Sequence, residues 1–143
     1  MSPVFVDTSH LTAIFHPDDG LHDAALAAAE RLEMLGATFV TTEVVLIEFL
    51  TAASKMGSAG RKRAVTYIRE LRAYTGLRIV PQTLDLFDRG LALYESRADK
   101  RYSMVDCISM VVCRDEKITD VLTYDKDFAQ EGFRPLLRDQ GQA

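Results

Sequence analysis

Short apolar runs alternate along this chain with longer stretches whose apolar positions recur at helical spacing. Residues 3–6 form one such run, ending abruptly at Asp7, and residues 38–41, 77–80 and 120–124 are of similar strand length. Residues 133–137 add a weak edge strand. Helices fall between them. Residues 21–35 place Leu21, Ala25, Ala28, Leu32 and Leu35 on one face, with Asp18 and Asp19 ahead as caps and Gly36 as a stop. Residues 43–56 follow a Thr42 cap and close at Gly57, and residues 58–75 turn Ala64, Ile68 and Leu71 inward. Leu84, Phe87, Leu91 and Tyr94 read as the inner stripe of a helix ending near Ala98. Residues 104–113 are apolar nearly all round, which predicts a buried helix. This alternation predicts an α/β fold with right-handed crossovers and a mostly parallel sheet covered on both faces. With no repeat and no linker, residues 1–143 are expected to form one domain. In such sheets ligands collect beyond the carboxyl ends of the strands, where Asp7 and Asp125 stand.

Composition narrows the class. The 143 residues are 48% hydrophobic and 27% charged, which argues against disorder, collagen-like repeats and a disulfide scaffold. No apolar run approaches the roughly 18 to 20 residues of a membrane span. The first ten residues lack a basic region and meet an Asp at position 7, unlike a signal peptide, so a cytoplasmic protein is expected. Cys107 and Cys113 fall in one helical segment, about 9 Å apart along its axis, too far for a disulfide. They read as small core residues. The net charge of −4 means that any phosphate-bearing partner must be held by local basic patches. His10, His16 and His22 match no metal or triad pattern, and no P-loop, G-x-G-x-x-G or C-x-x-C is present.

The carboxylates carry the chemical signal. Asp7 and Asp125 each follow a strand directly, and for either one alone a helix-capping role is an equal alternative. Glu48 lies along an apolar stripe with Val44, Val45 and Ala52, so it must be paired, metal-bound or at a cleft rim. Glu43, in the first turn of the same helix, reads as structural. Asp106 fits the S-x-x-D form of a capping box with Ser103, a role compatible with also facing the end of the sheet. Converging carboxylates either hold protons at raised pKa or bind a divalent cation. An all-oxygen set selects Mg²⁺ or Mn²⁺, which suits phosphoryl chemistry.

V-D-T-S at 6–9, L-I-E-F-L around Glu48, Y-S-M-V-D-C-I-S-M at 102–110 and L-T-Y-D-K-D-F with a following G-F at 132–133 resemble the PIN-domain ribonucleases. The resemblance is closest to the VapC-like toxins of bacterial type II toxin–antitoxin pairs and spans nearly the whole chain. It implies a three-layer α/β/α domain with a four- or five-stranded sheet that cuts RNA using Mg²⁺ or Mn²⁺. It further implies a metal site of Asp7, Glu48, Asp106 and Asp125, with Thr8 or Ser9 assisting near Asp7. Asp127 is an accessory candidate that either joins the site or lies on its rim, and Asp99 does not match the metal position. A small antitoxin and a homodimeric state are expected on the same grounds.

Phosphate-positioning candidates are Arg61, Lys62 and Arg63, then Lys100 and Arg101, with Lys126 and Arg134 near the last motif. Lys100 and Arg101 lead because they precede the helix that presents Asp106. Leu46 and Phe49 read either as protein contacts or as core. A haloacid-dehalogenase-type phosphatase needs a second Asp two residues after the first, where this chain has Ser9. A receiver domain needs an Asp after the third strand, where Pro81 and Gln82 stand. The competing class is a silent module of the same fold that binds RNA or a protein without cutting.

Overall fold

The computed structural model describes residues 2–139. Its centre is a five-stranded, wholly parallel sheet in the order β3-β2-β1-β4-β5. The strands are β1 (Val4–Val6), β2 (Phe39–Thr42), β3 (Leu77–Val80), β4 (Asp120–Leu122) and β5 (Arg134–Pro135). Successive strand residues face opposite sides of a sheet. Every residue of β1 and β2 is buried, so helices cover both faces and the layering is α/β/α. The helices are α1 (Thr8–Phe15), α2 (His22–Met34), α3 (Glu43–Ala53), α4 (Gly57–Ala73), α5 (Leu84–Ser96) and α6 (Met104–Asp115), with short α7 (Asp127–Gln130) and α8 (Leu136–Asp139). The core gathers Phe5, Leu11, Phe49, Met110, Leu122 and Phe128, all fully buried. No helix among the described residues is long and apolar enough to cross a membrane.

β1 sits mid-sheet, paired with β2 on one side and β4 on the other. The chain builds outward from β1 in one direction and then returns to its other flank, which makes the carboxyl ends of β1 and β4 the switch point. Val6 aligns with Leu122, so Asp7 and Thr123, the next residues of each strand, emerge side by side.

Local sequence explains most helix ends. Thr42 caps α3 by accepting from Val45 N at 3.2 Å, and Thr83 caps α5 through Leu86 N at 3.1 Å. α3 gives way to a single 3₁₀ turn over Ser54–Met56, and Gly57 enters α4 at φ 75°. Ahead of α2, Asp19 Oδ1 accepts from Leu21 N, and neither Asp18 nor Asp19 is the N-cap residue, which is Leu21. Cys107 and Cys113 are free thiols in the buried face of α6.

Several sequence expectations are revised. The short helix α1 follows β1 directly, within a segment to which the apolar pattern assigned no element. Leu35 is exposed, and the edge strand at 133–137 shrinks to Arg134–Pro135 before α8 begins. Leu46 and Phe49 are buried, which removes them as contacts for a partner. The largest correction is α5. Leu84, Phe87, Leu91 and Tyr94 are 76%, 45%, 49% and 51% exposed, so the stripe faces outward. The inward face is Leu86, Gly90 and Leu93 instead. Gly90 decides this: a Cβ there would stand 2.7 Å from Ile108 Cγ1 and 3.2 Å from Met104 Cε, so its lack of a side chain lets α5 close onto α6.

Replacing Gly90 with Val should therefore force the two helices apart. We expect a loss of about 1–3 kcal/mol in urea unfolding, the usual penalty of overpacking. Unchanged stability would show that the α5–α6 contact is looser than described.

Candidate functional site

Asp7 is almost wholly buried at the end of β1. It occupies the N-cap position of α1, yet its side chain makes no capping bond. Instead Thr123 Oγ1 donates to Asp7 Oδ2 at 2.7 Å. The same hydroxyl accepts from Asp125 N at 3.0 Å and lies 3.2 Å from Ser9 Oγ. With the Thr123 proton directed at Asp7, Ser9 is left to donate, and its oxygen in turn accepts from Tyr124 N at 3.3 Å. Ser9 thus reaches Asp7 only through Thr123. Thr8 Oγ1, next to Asp7 in the chain, is buried with no hydrogen-bond partner.

Two further carboxylates are set by turns. Asp125 Oδ1 accepts from Asp127 N at 2.8 Å, the side-chain turn that Asp favours after a strand. Asp106 completes the capping box foreseen from the sequence. Ser103 Oγ accepts from Asp106 N, and Asp106 Oδ2 accepts from Ser103 N, each at 3.0 Å. The cap does not remove Asp106 from the cleft. Oxygens of Asp106, Asp125 and Asp127 all lie within 4.8 Å of one another. Asp127, left open by the sequence, stands in this cluster.

Electrostatics ties in the other two. Burial pushes Asp7 up to about 7, and the charges of Asp106 and Glu48 add to the rise while the Thr123 bond opposes it. Burial likewise pushes Asp106 up to about 6, with Asp125 and Glu48 contributing. Asp127 is raised by burial first and then by Asp125. Glu48, on α3, faces both Asp7 and Asp106 closely enough to shift them. Ionised pairs among Asp106, Asp125 and Asp127, at up to 4.8 Å, repel by roughly 3–4 kcal/mol at an effective dielectric near 20. The set contains only oxygen donors, Asp7, Asp106 and Asp127 carry raised proton affinity, and the orphaned Thr8 hydroxyl belongs to the residue next to Asp7. Those features fit a divalent cation with oxygen ligands.

The remaining candidates divide. Lys100 and Lys126 lie near enough to Asp127 to lower its proton affinity, so both border the cluster. Lys100 also makes a loose 3.8 Å pair with Asp99, which stays outside the cluster. Arg101 is exposed without an ion pair, whereas Arg134 is held by Asp120 at the start of β4. His10 and His22 contact the carbonyls of Ala25 and Ala13, and burial keeps His10 neutral, down to about 4.

Two residues escaped the sequence reading. Thr123 joins the start of α1 to the loop after β4, and only its place between β4 and Asp125 hinted at it. Glu131, at the end of α7, is the other; its side chain is only 5% exposed. It accepts from Arg97 Nε at 2.9 Å, Arg114 Nη2 at 2.8 Å and Tyr102 Oη at 3.0 Å. Arg97 foremost, then Arg114 and Tyr102, hold its carboxyl down to about 2. Nothing in the local pattern marks this anchor, which fixes the helix that carries Asp127.

The comparisons with known proteins agree with this geometry. Curated protein sequences give no match. The solved crystal structure of Mycobacterium tuberculosis VapC20, a Sarcin-Ricin loop cleaving toxin, is similar with a TM-score of 0.78 and 28% sequence identity. The similarity covers 92% of this chain and 97% of that one. The sequence profile of the PIN domain matches residues 4–133, a span that contains every carboxylate of the cluster together with Asp7 and Glu48, and the chain belongs to the PIN domain family.

Proposed function

We propose that this chain is a divalent-metal-dependent endoribonuclease, the toxin of a toxin–antitoxin pair, working as one domain. The observation that carries the reading is the convergence of carboxylates from four separate segments at the switch point of the sheet. Kinship with a toxin that cleaves the Sarcin-Ricin loop supports RNA as the substrate class.

Asp7, Glu48, Asp106 and Asp125 would hold Mg²⁺ or Mn²⁺, with Asp127 beside them. When bound, such an ion supplies Lewis acidity to the scissile phosphate and to the attacking water. Thr123 positions Asp7 and the Asp125 turn with one hydroxyl, and Ser9 positions Thr123. Lys100 and Lys126, bordering the cluster, and Arg101 next to Lys100 are placed to meet phosphate oxygens. A small antitoxin covering this cleft would silence it.

Replacing Asp7 with Asn should lower Mn²⁺-supported RNA cleavage by at least about a hundredfold while the fold persists. Thr123→Val should cost about 10–100-fold, as loss of an orienting partner does. RNA that is retarded on a gel yet stays whole with the parent protein would favour the silent module instead.

Proton linkage gives a second test. Asp7 and Asp106 titrate at about 7 and 6 against an ordinary 3.8, so both are raised in the fold. The contribution of these two groups to stability is then fully present below about pH 4 and is lost as pH rises through those values. A cation opposes the loss because it binds the deprotonated groups. The metal-free Tm should fall between about pH 5 and pH 8, and millimolar Mn²⁺ should raise it more at pH 8. An equal or absent shift would remove the metal from this site.

The outward stripe of α5 supports a homodimer, because it leaves a continuous apolar helix face uncovered. Sedimentation of Phe87→Glu/Leu91→Glu should report a monomer where the parent reports a dimer. A parent that sediments as a monomer would reject the assignment.

A further inference from the structure

The cations of this chain are unevenly employed. Arg78, Arg89, Arg97, Lys100, Arg114 and Arg134 each pair with a carboxylate. Along α4 the pattern reverses. Arg61, Lys62, Arg63, Arg69 and Arg72, with Lys55 just ahead, make no ion pair among the described residues, and the helix carries one acid, Glu70. Arg61 reaches only the Ser54 carbonyl, at 3.5 Å. Arg61, Lys62 and Arg63 lie beyond the first turn of α4, where the helix dipole no longer acts on them appreciably. Local stability does not account for this arrangement.

The surface around these cations is shaped. One groove runs between α1 and α4, lined by Ile14, Phe15, Lys62, Arg63, Thr66 and Tyr67, with Glu70 as its one acid. A second follows the outer face of α4 past Arg61, Val65 and Arg69, sharing Lys62 and Thr66 with the first. The Arg63 guanidinium lies over the Phe15 ring at 5.3 Å, so it is held in place without a counter-ion. Phe15 in turn meets Phe49, the neighbour of Glu48, at 5.2 Å between centroids. Through Phe15 and Phe49 these ring contacts tie the cations of α4 to α3, the helix that carries Glu48.

We propose that this face of α4 and the groove it shares with α1 form a track for the phosphodiester backbone of single-stranded RNA. The proposal rests on the nuclease reading above. With a net charge of −4, the whole molecule does not attract phosphate, so a local array has to. Free cations flanking apolar and aromatic side chains match a single strand, which offers charge and a stacking face at each step.

The test measures binding and cleavage separately. Arg61→Gln/Lys62→Gln/Arg69→Gln changes exposed side chains only and is made in the parent and in the Asp7→Asn protein. In the latter, anisotropy of a labelled oligouridylate of about twenty nucleotides reports affinity against salt. We expect the triple change to weaken binding at least about tenfold at 0.1 M salt and to flatten the slope of log K against log salt by about 2. In the parent it should raise KM and retain kcat. Lys117→Gln, remote from this face, should change neither. If the parent cleaves RNA but the triple variant binds with unchanged affinity and slope, the track is overturned and the nuclease reading stands. Binding that depends on α4 without any cleavage would uphold the track and sink the nuclease. No RNA binding at all would remove both. Equal competition by polyglutamate at matched charge would overturn the track in favour of an acidic protein.

Discussion

Carboxylates that repel one another must share one edge of a sheet, and much of this structure serves to hold them there. Asp7 has lost its water to burial and keeps a single firm donor from the opposite strand, Thr123. The arrangement stores unfavourable charge that only a proton or a cation relieves. Each participant is therefore fixed from behind. A capping box locks Asp106, a side-chain turn locks Asp125, and the Glu131 anchor locks the helix bearing Asp127. Rigid placement is what keeps repulsion from simply dispersing the groups.

The parts of the fold written in apolar run-lengths were legible from sequence. β1, β2, β3 and β4 each centre on a short apolar run, so pattern and structure coincide. α1 was missed because its eight residues follow β1 with no intervening turn signal and mix β-branched residues with a histidine. α5 was inverted for a sharper reason. It has apolar residues on two faces, and hydropathy favoured the larger ones. The buried face was chosen by Gly90, which contributes nothing to hydropathy but admits Ile108.

The site divides the same way. Asp7 and Asp125 were visible because a strand ending in Asp is a local event, and Glu48 because a charge interrupts an apolar stripe. Asp106 shows that a structural explanation and a place in the cleft coexist when a cap sits at the end of a sheet. Thr123 and Glu131 were invisible because their partners are distant in sequence, 116 residues away for Thr123 and Asp7. Pairings of that kind are fixed by topology, and no window along the chain contains them. The surface carries a similar division of labour, with acid at the sheet edge, uncompensated cations on α4 and bare apolar side chains on α5.

The bond between Thr123 and Asp7 also has a bearing on synthesis. β1 leaves the ribosome early, but its partner β4 and the loop holding Asp125 come more than a hundred residues later. Until then the first aspartate has neither its donor nor its acidic neighbours, and the nascent chain has no assembled cleft. The acidic edge is in this way completed only when nearly the whole chain has been made, a delay that comes from strand order alone.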